Sequence, residues 1–237
     1  MKELINNWRI FLKEEKAPRV NVFLDMDGVL VDFPGALKTY IKDVYAIDAD
    51  VLHPGSKSSR RVLRKLQGLQ LSDEEIEELY DQTESKFQSG EAYAPAEKIM
   101  NNYTFKALFK NKNLWLIMDK LENADQLVDT VFNLADEVFV LSAGVDETSE
   151  EAKKEWIAHH FPQINTQNVN ISRAKGQRLL DLANQGAVSM EDINILIDDR
   201  TPFIDDFEGA GGLGIKYDFT SPQKAIEQLE ILVGEAK

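Results

Sequence analysis

Val22-Phe23-Leu24-Asp25-Met26-Asp27-Gly28-Val29-Leu30 decides how the chain is read. An apolar run of strand type ends in two aspartates one residue apart, and then a glycine. Side chains alternate along a strand, so a regular strand would point Asp25 and Asp27 to one side and Met26 to the other. Two carboxylates at the end of a core strand repel each other and lose hydration, so a positive partner is expected between them. A hard divalent cation with oxygen ligands fits that need. Gly28 lets the backbone leave the strand sharply and lets a ligand approach closely. The competing reading is an ordinary turn, because Asp-Gly is a common turn pair.

Outward from that stretch, the chain falls into two kinds of pattern. Leu37, Tyr40, Ile41, Val44 and Tyr45 recur at helical spacing over Ala36 to Tyr45, and His53-Pro54-Gly55-Ser56 breaks the pattern. Ser58 to Leu69 reads as a short helix with Val62, Leu63 and Leu66 inside and Lys57, Arg60, Arg61, Arg64 and Lys65 outside. Ser72 with Glu75 forms a capping box for a helix reaching Gly90, and Pro95 opens another toward Phe109. Residues 34–112 are therefore expected to be helical, without strands.

From Leu114 onward, strands alternate with helices. Helices are expected at Ala124–Leu134, Glu147–Phe161, Gly176–Ala183, Phe203–Phe207 and Pro222–Leu232. Strands are expected at Val138–Leu141, Val169–Ile171, Ile193–Ile197 and Leu213–Tyr217. This alternation implies an α/β fold, a Rossmann-like parallel sheet with helices on both faces. Ligands of such sheets sit beyond the carboxyl ends of the strands, where Asp25, Ser142 and Asp198 all fall.

The chain of 237 residues is 43% hydrophobic and 29% charged, as expected of a globular protein. Its net charge of −14, from 41 acidic and 27 basic residues, argues against broad binding to nucleic acid or acidic membranes. With no cysteine there is no thiol nucleophile and no zinc-thiolate site, which fits a cytoplasmic location. Residues 1–19 place Leu4, Ile5, Trp8, Phe11 and Leu12 at helical spacing. They lack the apolar core of a signal peptide and are expected to form an amphipathic helix on the domain. No stretch is long enough to span a membrane.

Asp25-Met26-Asp27-Gly28-Val29 resembles the first motif of the haloacid dehalogenase (HAD) superfamily of phosphate-transfer enzymes. Three further segments match that family's order. The run Val138 to Ser142 is similar to its second motif, Lys175 in Ser172-Arg173-Ala174-Lys175-Gly176 to its third, and Ile195-Leu196-Ile197-Asp198-Asp199 to its fourth. The resemblance implies that Asp25 is the nucleophile and Asp27 the general acid/base. Ser142 and the backbone N–H of Ala143 would hold phosphate oxygens, and Lys175 would neutralise phosphate and the Asp25 carboxylate, with Arg173 and Arg178 as nearby alternatives. Asp25, the main-chain carbonyl of Asp27 and Asp198 would ligate Mg²⁺, and Asp199 would act through water or orient the ligands. Asp205 and Asp206 are expected on an exposed helix face.

The family places a cap between its first and second motifs, which here gives a core of 20–33 and 113–237 and a cap of 34–112. Asp25 to Leu30 with Asp32-Phe33, Leu114-Trp115-Leu116, the Arg173-Ala174-Lys175 turn and Ile197-Asp198-Asp199 resemble the 5′(3′)-deoxyribonucleotidases. The implied substrate is a small phosphorylated molecule of the nucleoside monophosphate class, with Phe33, Tyr40 and Tyr45 as candidates for base stacking. The alternatives are a sugar-phosphate or other small phosphomonoesterase, and a non-catalytic module that binds phosphate or a partner. The basic face Lys57 to Lys65 would suit a nucleic-acid end, but pairing with the acidic helix Asp73 to Glu78 is the favoured reading.

Two other patterns are set aside. Gly209-Ala210-Gly211-Gly212-Leu213-Gly214 spells G-x-G-x-x-G, but it follows a helix and opens a strand, the reverse of a dinucleotide site. His159 and His160 are adjacent on a helix and point about 100° apart, which does not make a metal pair.

Overall fold

The computed structural model describes residues 17–33, 35, 36, 39, 42, 112–144 and 146–235. Residues 1–16 of the expected N-terminal helix, nearly all of the expected 34–112 cap, the basic face Lys57 to Lys65, Tyr40 and Tyr45 lie outside the described residues, and residues 17–19 are not helical.

Five strands form one parallel sheet: β1 (Val20–Leu24), β2 (Glu137–Ser142), β3 (Val169–Ile171), β4 (Ile193–Asp198) and β5 (Leu213–Lys216). Their spatial order is β3-β2-β1-β4-β5. The helices are α1 (Lys112–Leu116), α2 (Ala124–Leu134), α3 (Glu147–His160), α4 (Lys175–Asn184), α5 (Thr201–Gly209) and α6 (Pro222–Glu235). This is the expected Rossmann-like α/β architecture. No helix among the described residues is long and apolar enough to cross a membrane.

The central strands are buried along almost their whole length, as strands covered on both faces should be. Helix α2 buries Ala124, Leu127, Val128 and Val131, one stripe at helical spacing. Helix α3 starts at a reciprocal cap in which Asp146 and Ser149 exchange side-chain and backbone hydrogen bonds. Each such cap satisfies N–H groups that the first turn leaves without helical acceptors. Pro202 lies in the first turn of α5, where its missing N–H costs nothing, and α5 is longer at both ends than Phe203–Phe207.

The described residues fall into two compact units. One holds β1, β4, β5, α4, α5, α6, nearly all of α2 and the first half of β2. The other holds Asp25 to Phe33, α1, the second half of β2, α3 and β3. In the first, Phe23 stacks on Phe139 at 4.7 Å and meets Phe207 edge-on at 5.3 Å. In the second, α1 packs on α3, and the Trp156 indole donates to the Met118 carbonyl at 2.8 Å.

The strand order carries the functional consequence. The chain builds from β1 outward through β2 and β3, then returns to the other side of β1 for β4 and β5. The reversal lies between β1 and β4, and ligands of open parallel sheets bind beyond the carboxyl ends at such a reversal. β1 and β4 pair in register with Leu24 opposite Ile197. The next residues along these strands are Asp25 and Asp198.

Candidate active site

β1 stops one residue before Asp25, and the chain then curls instead of continuing as a strand. Gly28 adopts φ 81°, and its N–H reaches the Val31 carbonyl at 2.9 Å. The Met26 carbonyl accepts from Leu30 and Val31 at 2.9 and 3.0 Å. A side chain at a positive φ is strained, which is why a glycine serves at this turn. Met26 is fully buried, Asp25 is 3% exposed, and the Asp27 side chain keeps 31% exposure.

Asp27 meets a lysine that the motif order does not point to. Lys153 Nζ donates to Asp27 Oδ2 at 2.6 Å, to Ser142 Oγ at 3.0 Å and to the Ala143 carbonyl at 2.7 Å. Lys153 is wholly buried in α3, on the same face as Ser149, Trp156 and Ile157. That phase was its signal in the sequence, because Lys153 stands three and four residues before Trp156 and Ile157 on an apolar stripe. Ser142 is completely buried at the end of β2, and its carbonyl accepts from the Ser172 N–H at 2.8 Å. The hydroxyl expected to hold phosphate is therefore already bonded to the Lys153 ammonium. Arg173 donates from Nε to the Gly144 carbonyl at 3.0 Å.

Lys175 opens α4, one residue earlier than the sequence pattern suggests, and is completely buried. Its ammonium pairs with Asp198 Oδ2 and stands 4.8 Å from the Phe203 ring centroid. The other Asp198 oxygen, Oδ1, accepts the Arg200 N–H at 2.7 Å. The Gly176 N–H donates to Asp206 Oδ2 at 2.8 Å. Asp206 thus anchors the start of α4 as well as lying on an exposed helix face, while Asp205 is simply exposed. Tyr217, whose N–H donates to the Asp198 carbonyl, is itself buried. Burial pushes its phenol pKa above the ordinary value, with the Asp218 charge adding to the effect.

Carboxylate oxygens of Asp25, Asp198 and Asp199 lie within 4.8 Å of one another. A donor set made only of oxygens could hold a hard cation and is consistent with Mg²⁺. Among the described residues, the buried charged side chains are Asp25, Lys153, Lys175 and Asp198. All four stand at the carboxyl end of a strand or on a helix that follows one.

The set-aside patterns have other roles. His160 stacks on Trp156 at 4.2 Å and His159 meets His160 edge-on. Gly209 closes α5 and Leu213 opens β5, so the glycine-rich run links helix to strand. Phe33, a candidate for base stacking, stacks on Trp115.

No family model matches the chain, and no curated protein matches it. Solved structures do align. A haloacid dehalogenase-like family hydrolase from Xanthomonas campestris is 14% identical, with 94% of this chain and 97% of that one covered at a TM-score of 0.49. A haloacid dehalogenase-like family hydrolase from Streptococcus pneumoniae is 13% identical, covering 90% and 91% at 0.44. A magnesium complex of a HAD family enzyme from Bacteroides thetaiotaomicron is 11% identical, covering 85% and 94% at 0.40.

Proposed function

We propose that the protein is a Mg²⁺-dependent phosphomonoester hydrolase of the HAD type, working through a phospho-aspartate on Asp25 and acting on (deoxy)nucleoside monophosphates. The observation that supports this most is the placement of the buried charge. Burying an ion is costly, and the buried carboxylates and ammoniums of the described residues are those a phosphoryl-transfer site needs.

In this reading Asp25 attacks phosphorus, the ester P–O bond breaks, and Asp27 gives its proton to the departing oxygen. Asp27 then takes a proton from water as that water attacks the acyl phosphate, which releases phosphate and restores the Asp25 carboxylate. Mg²⁺ held by Asp25, Asp198, Asp199 and the main-chain carbonyl of Asp27 would supply charge stabilisation for the transferring group. Lys153 and the Ser142 hydroxyl, already bonded to each other, would turn toward phosphate oxygens. Lys175 pairs with Asp198 and holds its carboxylate in place. Phe33 and the backbone N–H of Ala143 complete the proposed contacts to substrate.

Purified protein with Mg²⁺ is assayed against deoxy- and ribonucleoside monophosphates, sugar phosphates and a 5′-phosphorylated oligonucleotide, with Asp25→Asn as control. Nucleotide turnover that Asp25→Asn abolishes is the expected result. Turnover of sugar phosphates alone overturns the substrate class. Equal rates for Asp25→Asn and wild type, or no turnover of any substrate, overturn the mechanism and leave a non-catalytic binding module.

A further inference from the structure

The Lys153 ammonium bonds three oxygens and also faces a ring. Its nitrogen lies 4.8 Å from the Trp115 ring centroid. Trp115 is 2% exposed, and its indole stacks on Phe33 at 5.3 Å with the ring planes 24° apart. Phe33 precedes residues 34–111 in the chain and Trp115 follows them. Two stretches far apart in sequence are thus joined ring to ring beside the lysine that contacts Asp27.

The chemistry of that lysine makes the ring consequential. A lysine side chain has four rotatable bonds, and three acceptors, one just after β1 and two at the end of β2, must meet one nitrogen. An indole face attracts a cation through its quadrupole, most strongly where water is excluded. Phe33 braces the ring by offset stacking, which resists the tilt that would turn its edge toward the ammonium.

We propose that Trp115 is a positioning residue whose indole face, braced by Phe33, holds the Lys153 ammonium where it bonds Asp27 and Ser142. The part of this that concerns turnover rests on the phosphatase reading above. The proton transfer assigned to Asp27 then depends on a ring that acts only through Lys153.

The test combines kinetics with a readout that needs no activity. With p-nitrophenyl phosphate and Mg²⁺, Trp115→Leu is expected to lower kcat about tenfold with KM changed less than about twofold, and Trp115→Phe to recover most of the loss. In a Lys153→Met background, Trp115→Leu is expected to add nothing. In ¹⁵N-lysine-labelled protein, the Lys153 ammonium, recognised by its absence in Lys153→Met, is expected to give a slowly exchanging signal. That signal should survive in Trp115→Phe and be lost to water exchange in Trp115→Leu. Should Trp115→Leu fail to fold, Phe33→Leu is read by the ammonium signal alone, which is expected to weaken in the same direction by a smaller amount. Retention of the ammonium signal in the leucine variants overturns the proposal, as does an equal kcat loss with and without Lys153. If Asp25→Asn turns over like wild type, the phosphatase reading falls, and the ammonium signal still decides the positioning role.

Discussion

Replacing Asp198 by asparagine separates the folding role of the buried charges from their proposed chemistry. Asp198 and Lys175 both have side chains at 0% exposure and pair directly. Removing one partner of a buried pair costs about 3–5 kcal/mol, because the remaining ion is left desolvated without its counter-charge. Asparagine keeps an acceptor oxygen that the Arg200 N–H can still reach, so the loss should sit at the low end, about 3 kcal/mol. For a chain of this size that corresponds to roughly 6–12 °C in Tm. The double variant Asp198→Asn with Lys175→Met removes both ions, and is expected within about 1 kcal/mol of wild type. Urea unfolding followed by circular dichroism in EDTA measures these terms without metal. Repeating it in Mg²⁺ tests the ligand role. At a hundred times its Kd a metal adds about 2.7 kcal/mol to the wild type, and Asp198→Asn should gain far less. The reasoning is refuted if Asp198→Asn unfolds like wild type in EDTA, or if the double variant is less stable than the worse single one.

Burial raises the folded-state pKa of the Tyr217 phenol above the ordinary tyrosine value of about 10, so its contribution to stability is complete below that value and drains away as pH rises through the folded pKa. Tyr217→Phe should therefore flatten the alkaline fall in urea midpoint above pH 10, and an unchanged slope would contradict this. A Cβ at Gly176 would stand 2.2 Å from the Asp206 carbonyl oxygen, so Gly176→Ala is expected to lower stability by about 1–3 kcal/mol; a midpoint equal to wild type would show that α4 and α5 can separate freely. Asp146→Ala removes the cap of α3 and should cost about 1 kcal/mol in chemical denaturation, with amide exchange accelerated in the first turn of α3 but not in α6.

The parts of the molecule that could be read in the sequence are those decided by short-range pattern. β3 and α2 have the expected bounds because apolar periodicity and their flanking residues suffice to set them. Asp25 and Asp198 were legible because each interrupts or ends an apolar run, and a parallel sheet gathers strand ends. Lys153 was not. A lysine on a helix is ordinarily a solvated residue, and what buries this one is Asp27, 126 residues away, together with an oxygen at the end of β2. Lys175 was found by its place in the motif order, but its direct partner Asp198 could not be, because the pairing depends on which way the first turn of α4 faces. Trp115 was noticed as part of a segment, and nothing local revealed that its ring meets an ammonium.

The motif order asks for one lysine, and among the described residues two are buried, each bound to a different carboxylate. That division has a physical logic. In the proposed reaction Asp27 exchanges a proton, so the cation beside it should be able to shift between partners without leaving a charge bare. Lys153 fits, since its three acceptors include a hydroxyl and a carbonyl, and Asp27 keeps partial exposure to water. Asp198 must stay ionised throughout if it is to hold a cation, so its partner should be fixed. Lys175 fits that task, with both side chains at 0% exposure and a backbone N–H on the other Asp198 oxygen.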